Sequence, residues 1–252
     1  MKLGIAVPVV NNWSGFAQSL STWYSAKHQL RYYVIDNSVN RRSVPESWNL
    51  GCRALFATGV EAVIVANDDV LCHEETIDRL VAFWKERQPM VATAANVRDT
   101  GITPSVFLTS AIVPPYEERN YNPDMSFFLL PRKTWEEVGA FDENFFPAYF
   151  EDNDYFTRIA LAGGEMLLTT SAPMYHIGGG TQFNPPPDIR QKRDRMVSGA
   201  AFQENKEFYT TKWGCTPSWD PGVLRETAHK HPYNDPKLSI SDVPLIRQPN
   251  TE

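Results

Sequence analysis

The chain has 252 residues, 42% of them hydrophobic, enough for one large domain or a domain with appendages. A net charge of −6 excludes broad nonspecific binding to nucleic acid or an anionic membrane, leaving room only for a local basic patch. Cys52, Cys72 and Cys215 have no paired spacing, which argues for reduced thiols in a cytoplasmic setting and against a disulfide framework or zinc site.

The first half alternates strands and helices. Leu3 to Val7 is an apolar strand stopped at Pro8, too short for a signal peptide. No apolar run approaches the roughly 20 residues of a membrane span. Ser14 caps a helix that carries Phe16, Leu20, Trp23 and Tyr24 on one side. Arg31 to Ile35 is a second strand, ending in Asp36-Asn37-Ser38. Pro45 opens a helix that turns Trp48, Cys52, Leu55 and Phe56 inward and closes at Gly59. Ala62 to Ala66 is a third strand, followed by Asn67-Asp68-Asp69. The spacing of Ile77, Leu80, Val81 and Trp84 predicts a helix from Glu74 to Gln88, stopped by Pro89. Val91 to Ala94 is a fourth strand. This order predicts an α/β sandwich with a central, mostly parallel sheet flanked by helices. Ligands of such sheets bind at the carboxyl ends of the strands, where Asp36 and Asn67 to Asp69 fall.

The second half is more irregular. Strand content is expected at Val106 to Val113, Met125 to Leu130, Glu165 to Thr169 and Met174 to Ile177, with a short helix at Lys133 to Val138. Glu151, Asp152 and Asp154 fall in the first turn of a helix that buries Tyr155, Phe156, Ile159 and Ala160 and ends at Gly163-Gly164. Adjacent carboxylates raise each other's pKa unless cations or hydrogen-bond donors offset them. Gly178-Gly179-Gly180 and Pro185-Pro186-Pro187 break the pattern, and a charged helix follows from Asp188 to about Tyr209. From Trp213 the apolar periodicity disappears, predicting an extended C-terminal arm on the domain or on a neighbouring subunit, a route to a homo-oligomer.

Each polar cluster has an ordinary structural reading. Asn67-Asp68-Asp69 can cap the next helix, and Glu151 and Asp152 can do the same for theirs. His176 can be a structural histidine, Asp36 a turn residue and Asn49 a first-turn helix residue. The basic run Arg190 to Arg195, with Lys206 and Lys212, reads chiefly as a solvated helix face.

Taken together, however, Gly139-Ala140-Phe141-Asp142-Glu143, Phe146, Glu151-Asp152-Asn153-Asp154, Arg158 and Gly163 resemble the acceptor-side signature of family 2-type nucleotide-sugar glycosyltransferases of the GT-A fold. Trp213-Gly214, after Lys212, resembles an ending of some members. The resemblance covers roughly Leu3 to Ile177. It implies a domain over 1–212, with a nucleotide-binding half at about 1–100 and an acceptor half at about 101–212, and the arm at 213–252.

Carried over by position, Asp152 is the catalytic base. Asn67-Asp68-Asp69 is similar to the family's DxD element, with Asn67 in the first acid position. This leaves Asp69 as the direct metal ligand and puts Asn67 and Asp68 against the ribose or the metal's waters. His176 stands where members place a metal-binding histidine, so the implied cofactor is Mn²⁺ or Mg²⁺. Pro8, Asp36 and Asn49 match donor-binding positions. Asp36 would accept from a uracil or thymine N–H, favouring UDP.

The resemblance therefore implies inverting transfer from a nucleotide-sugar donor to an acceptor hydroxyl on a saccharide or on a modified nucleic-acid base. Two rivals stand beside it. A sugar-1-phosphate nucleotidyltransferase would need a glycine-rich N-terminal loop for a triphosphate. A non-catalytic sugar-nucleotide-binding module would need neither Asp152 nor His176.

Overall fold

In the computed structural model, residues 1–38, 42–109, 118–119, 125–178 and 199–228 are described, 118–119 by backbone alone. The expected glycines 179 and 180, the proline run, the start of the charged helix with Arg190 to Arg195, and the arm beyond 228 lie outside them.

The first half follows the predicted alternation with one strand added, β4: β1 (Lys2–Val9), α1 (Trp13–Thr22), β2 (Gln29–Asp36), α2 (Val44–Ala57), β3 (Ala62–Ala66), β4 (Val70–Cys72), α3 (Thr76–Arg87) and β5 (Val91–Asn96). Ser43, not Pro45 alone, starts α2: its side chain accepts from the Glu46 amide at 3.2 Å, with the proline in the first turn. Gly51 lets α2 settle on β1, since a Cβ there would come within 2.6 Å of the Ala6 side chain.

The second half adds α4 (Pro104–Thr109), β6 (Glu118–Arg119), β7 (Phe127–Pro131), α5 (Arg132–Val138), α6 (Glu151–Leu161), β8 (Met166–His176), α7 (Ala200–Trp213) and α8 (Pro221–Thr227). Three expectations change here. Residues 106–109 are helical where strand content was expected, because Pro104 starts a turn and Phe107 alone turns inward, while 110–113 lie outside the described residues. The two strands expected at 165–169 and 174–177 are one strand, β8, with a register shift against β5 between Ala94 and Ala95. The first part of the arm forms α8, which lies on α6: Leu224 is buried and Arg225 Nε donates to the Ala160 carbonyl at 2.9 Å.

The strands form one sheet in the order β2-β1-β3-β7-β5-β8-β4, with β6 beside β8. Pairs β1–β2, β1–β3 and β5–β8 are parallel, while β7 runs antiparallel between β3 and β5. Helices α1 and α3 cover one face through Phe16, Ile77 and Leu80. Helices α2 and α6 cover the other through Trp48, Leu55, Phe56, Tyr155, Phe156 and Ile159. Both faces are buried, so the central strands read as continuous apolar runs. Among the described residues no helix is long and apolar enough to cross a membrane.

Candidate active site

Asn67 to Asp69 form the turn between β3 and β4, and β4 pairs with the end of β8 so that Val70 lies opposite His176. That register brings an acidic turn and a distant imidazole together. Asp69 Oδ1 lies 3.0 Å from His176 Nε2, and Asn67 Nδ2 lies 3.5 Å from the same nitrogen. Ser126 Oγ, just before β7, is 2.8 Å from His176 Nδ1, and the His176 amide donates to Asn96 Oδ1 at 3.2 Å. If Nδ1–H donates to Ser126, the lone pair of Nε2 faces the Asp69 carboxylate, and only a proton or a cation between them makes that contact favourable.

One carboxylate oxygen plus one imidazole nitrogen fits Mn²⁺ or Mg²⁺ that draws its remaining ligands from phosphate and water. Among the described residues no larger His/Cys/Asp/Glu group of three or more is set to hold a metal. Asp68 is buried beside this pair and accepts from the Val10 amide at 3.4 Å. Burial, then the neighbouring Asp69, pushes its carboxyl up to about 7.

The other expected donor contacts divide. Asp36 ends β2, exposed, beside Val9 at the end of β1, and Pro8 pairs with Ile35. The Ser38 hydroxyl and amide both donate to Asp36 Oδ1, holding the carboxyl below its usual range. Asn49 is fully buried instead. Its Nδ2 donates to the Phe141 carbonyl and to Glu143 Oε1, both at 2.8 Å, and its Oδ1 accepts from the Phe141 amide at 2.8 Å. The side chain thus ties α2 to the turn at 141–143, and these bonds occupy the polar atoms that a donor contact would need.

Asp152 and Glu151 open α6. Tyr149 and Phe150 before them both hold positive φ, 81° and 70°, a costly pair for non-glycine residues. Asn205 of α7 holds this turn: its Nδ2 lies 3.3, 2.7 and 3.2 Å from the carbonyls of Phe146, Ala148 and Tyr149. Glu151 and Asp152 line a cleft of about 320 Å³, walled by Tyr149, Phe150, Phe202 and Trp219. Asp152 Oδ1 accepts from the Asn153 amide at 2.8 Å. Glu151 is 7% exposed, and its Oε2 is buried without a hydrogen-bond partner. Burial, then the adjacent Asp152, pushes its carboxyl up to about 8.

Below the cleft lies a buried ionic network. Lys212 Nζ bonds Asp142 Oδ2 at 2.7 Å and Asp154 Oδ1 at 2.6 Å. Trp213 Nε1 donates to Asp154 Oδ1 at 2.9 Å, and Arg158 Nε to Asp154 Oδ2 at 3.1 Å. Burial alone would raise the Asp142 carboxyl, but the Lys212 charge and hydrogen bonds from Lys212 and Asn144 hold it below its usual range. Lys212 therefore sits on no solvated face: only 3% of its side chain is exposed. The acids and bases of the acceptor-side motif, Asp152 and Glu151 apart, serve chiefly to hold α6 in place.

Residues that sequence reasoning missed are Ser126, which orients the imidazole, Asn205, which holds the turn before α6, and Arg98. The Arg98 guanidinium lies against Gly178, two residues beyond His176, at a position where φ is +73° and a Cβ would clash with it. Its signal was available: Asn96 and Arg98 lie at the carboxyl end of β5.

No family model matches the chain. A galactofuranosyl glycosyltransferase of Leishmania donovani is 40% identical over 52 residues, 21% of this chain and only 12% of that protein's length. Among solved structures, the mannosyltransferase PcManGT of Pyrobaculum calidifontis, in complex with GDP-Man and Mn²⁺, aligns with a TM-score of 0.53 and 13% identity over 93% of this chain and 72% of that one. GalNAc-T7 with UDP, GalNAc and Mn²⁺ aligns at 0.49 and 12% identity, over 89% of this chain and 54% of that one. The likeness to the mannosyltransferase shows a GT-A-like fold.

Proposed function

We propose that the chain is a metal-dependent glycosyltransferase that moves a sugar with inversion from a nucleoside diphosphate, with UDP as the expected carrier, to an acceptor hydroxyl. The observation that carries this reading is the 3.0 Å meeting of Asp69 and His176, two residues brought together only by the pairing of β4 with β8. The GDP-Man and Mn²⁺ of the mannosyltransferase that shares the fold, and the name of the partial relative, support a nucleotide-sugar donor and a divalent cation.

Asp69 and His176 would hold Mn²⁺ or Mg²⁺, and Ser126 would keep the imidazole Nε2 turned toward it. When bound, the cation supplies Lewis-acid neutralisation of the departing diphosphate. Asp36 accepts from the base N–H at the end of β2, while Asn67 and Asp68 border the ribose or the cation's waters. Asp152, partly exposed at the mouth of its cleft, takes the proton from the acceptor hydroxyl as that oxygen attacks the anomeric carbon. A single displacement on the face opposite the leaving diphosphate inverts the configuration.

Incubation with UDP-, GDP- and dTDP-sugars plus Mn²⁺ tests the donor half. Slow nucleotide release that ends on chelation is expected, and strongest with UDP. Asp152→Asn should lower transfer about 10²- to 10⁴-fold while nucleotide affinity changes little. Normal transfer by that variant would remove Asp152 from its role. Absence of nucleotide release from every donor would remove the glycosyltransferase reading.

A further inference from the structure

We propose that the cleft at the start of α6 takes the acceptor as a saccharide, and that Glu151 binds the hydroxyl next to the one Asp152 deprotonates; this rests on the glycosyltransferase reading above. A buried polar atom in a folded protein almost always has a partner. Glu151 Oε2 has none, and among the orphaned buried atoms of the described residues it is the one carboxyl oxygen and the one whose residue lines the cleft. A ligand hydroxyl reaching between the rings would complete it. Because burial and Asp152 push this carboxyl up to about 8, it carries a proton near neutral pH and offers a hydroxyl both a donor and an acceptor.

The walls select the rest of the ligand. Tyr149 and Phe150 come from the turn before α6, Phe202 from α7 and Trp219 from the segment before α8. The rings of Phe150 and Phe202 are 4.9 Å apart, and that of Trp219 lies 5.1 Å from Phe156. Flat apolar walls with two carboxyl residues in the lining match a pyranose ring, whose C–H faces are apolar and whose rim is hydroxylated. Consecutive carboxyl residues lining one cleft match two neighbouring hydroxyls. A nucleic-acid strand carrying a modified base would bring phosphates, which need cations. No lysine or arginine lines the cleft among the described residues, and two acids do.

Binding is read without transfer by labelling the protein with 5-fluorotryptophan and following the resonance that Trp219→Phe removes. The probes are methyl gluco-, galacto- and mannopyranoside, their monodeoxy analogues, and a single-stranded oligonucleotide containing 5-hydroxymethylcytosine. At least one pyranoside should shift the resonance saturably, and one of its monodeoxy analogues should bind about tenfold more weakly, about 1.4 kcal/mol. Glu151→Ala should weaken the parent sugar about tenfold and leave that deoxy analogue unchanged. Glu151→Gln, neutral and able to donate and accept, should stay within about threefold of the wild type.

The proposal is overturned if no pyranoside moves the resonance, if the oligonucleotide moves it instead, or if Glu151→Ala binds every sugar as the wild type does. Nucleotide release without acceptor reports separately on the donor half. Its absence from the wild type would remove the glycosyltransferase reading without touching the binding result.

Discussion

Glu151 and Asp154 lie one turn apart on the same helix and are both buried acids, yet the fold treats them in opposite ways. Asp154 receives Lys212, Arg158 and the Trp213 indole N–H. Glu151 receives no partner at Oε2 and lines the cleft together with Asp152. The comparison teaches that one acidic motif contains two devices. Its third acid anchors the helix, so that its first can be kept buried with an unpaired oxygen. Keeping Glu151 Oε2 buried without a partner costs stability once the carboxyl ionises, and an unsatisfied acid of this kind marks a place where a ligand is expected.

The comparison breaks most severely if the anchor is removed. Lys212→Met leaves Asp142 and Asp154 buried without their shared cation, and urea denaturation should show a loss of about 3–5 kcal/mol. Glu151 should behave in the reverse sense. The folded-state pKa of Glu151 is raised, so the stability it contributes is fully present below its unfolded value and is lost as pH rises through about 8. Glu151→Gln should therefore match the wild type near pH 5 and exceed it by roughly 2–4 kcal/mol near pH 8.5 in thermal or urea melts.

The anchor fails at the acid end. Asp142 is held low, so its contribution is present above the unfolded carboxylate pKa and disappears as pH falls through the folded value. Asp142→Asn should cost about 1–3 kcal/mol at pH 7 and flatten the acid limb of the stability profile. The smallest effect is expected at Asn205. Asn205→Ala frees the carbonyls of Phe146, Ala148 and Tyr149 and should cost about 1–2 kcal/mol. It should also raise proteolytic cleavage in the turn before α6, since Tyr149 and Phe150 then lose what holds their left-handed backbone.

The first half of the fold was legible because each strand there is an apolar run and each helix shows its own period. Trp48, Cys52, Leu55 and Phe56 all fall on the buried side of α2 as their spacing predicts. Along α1 the same reasoning overreached: Phe16 and Trp23 are buried, but Leu20 and Tyr24 are exposed, because a helix beside the sheet edge has less to bury against. The antiparallel insertion of β7 left no local trace, since partner choice is decided by packing across the sheet. The merging of two expected strands into β8 was hidden by Ser171 and Pro173, which interrupt the apolar run without interrupting the strand.

At the site, the resemblance carried His176 to the acidic turn, where the described geometry also puts it. Nothing in the spacing of Asn49 or Lys212 announced burial. Both are long-range ties, the first spanning from α2 to residues 141–143 and the second from α7 to the base of α6. Such ties depend on where distant segments come to rest, which composition and periodicity do not encode.

The amide of Asn49 has one more consequence. By gripping Phe141 on both its N–H and its C=O, it splices the helix behind the expected nucleotide pocket to the turn that leads into α6. On the proposed reading, the donor side and the acceptor side are tied to each other through this one amide. Phe202 and Trp219 wall the cleft from outside that splice, so on the proposed reading substitutions at these two rings are where acceptor size would be retuned without loosening the seam.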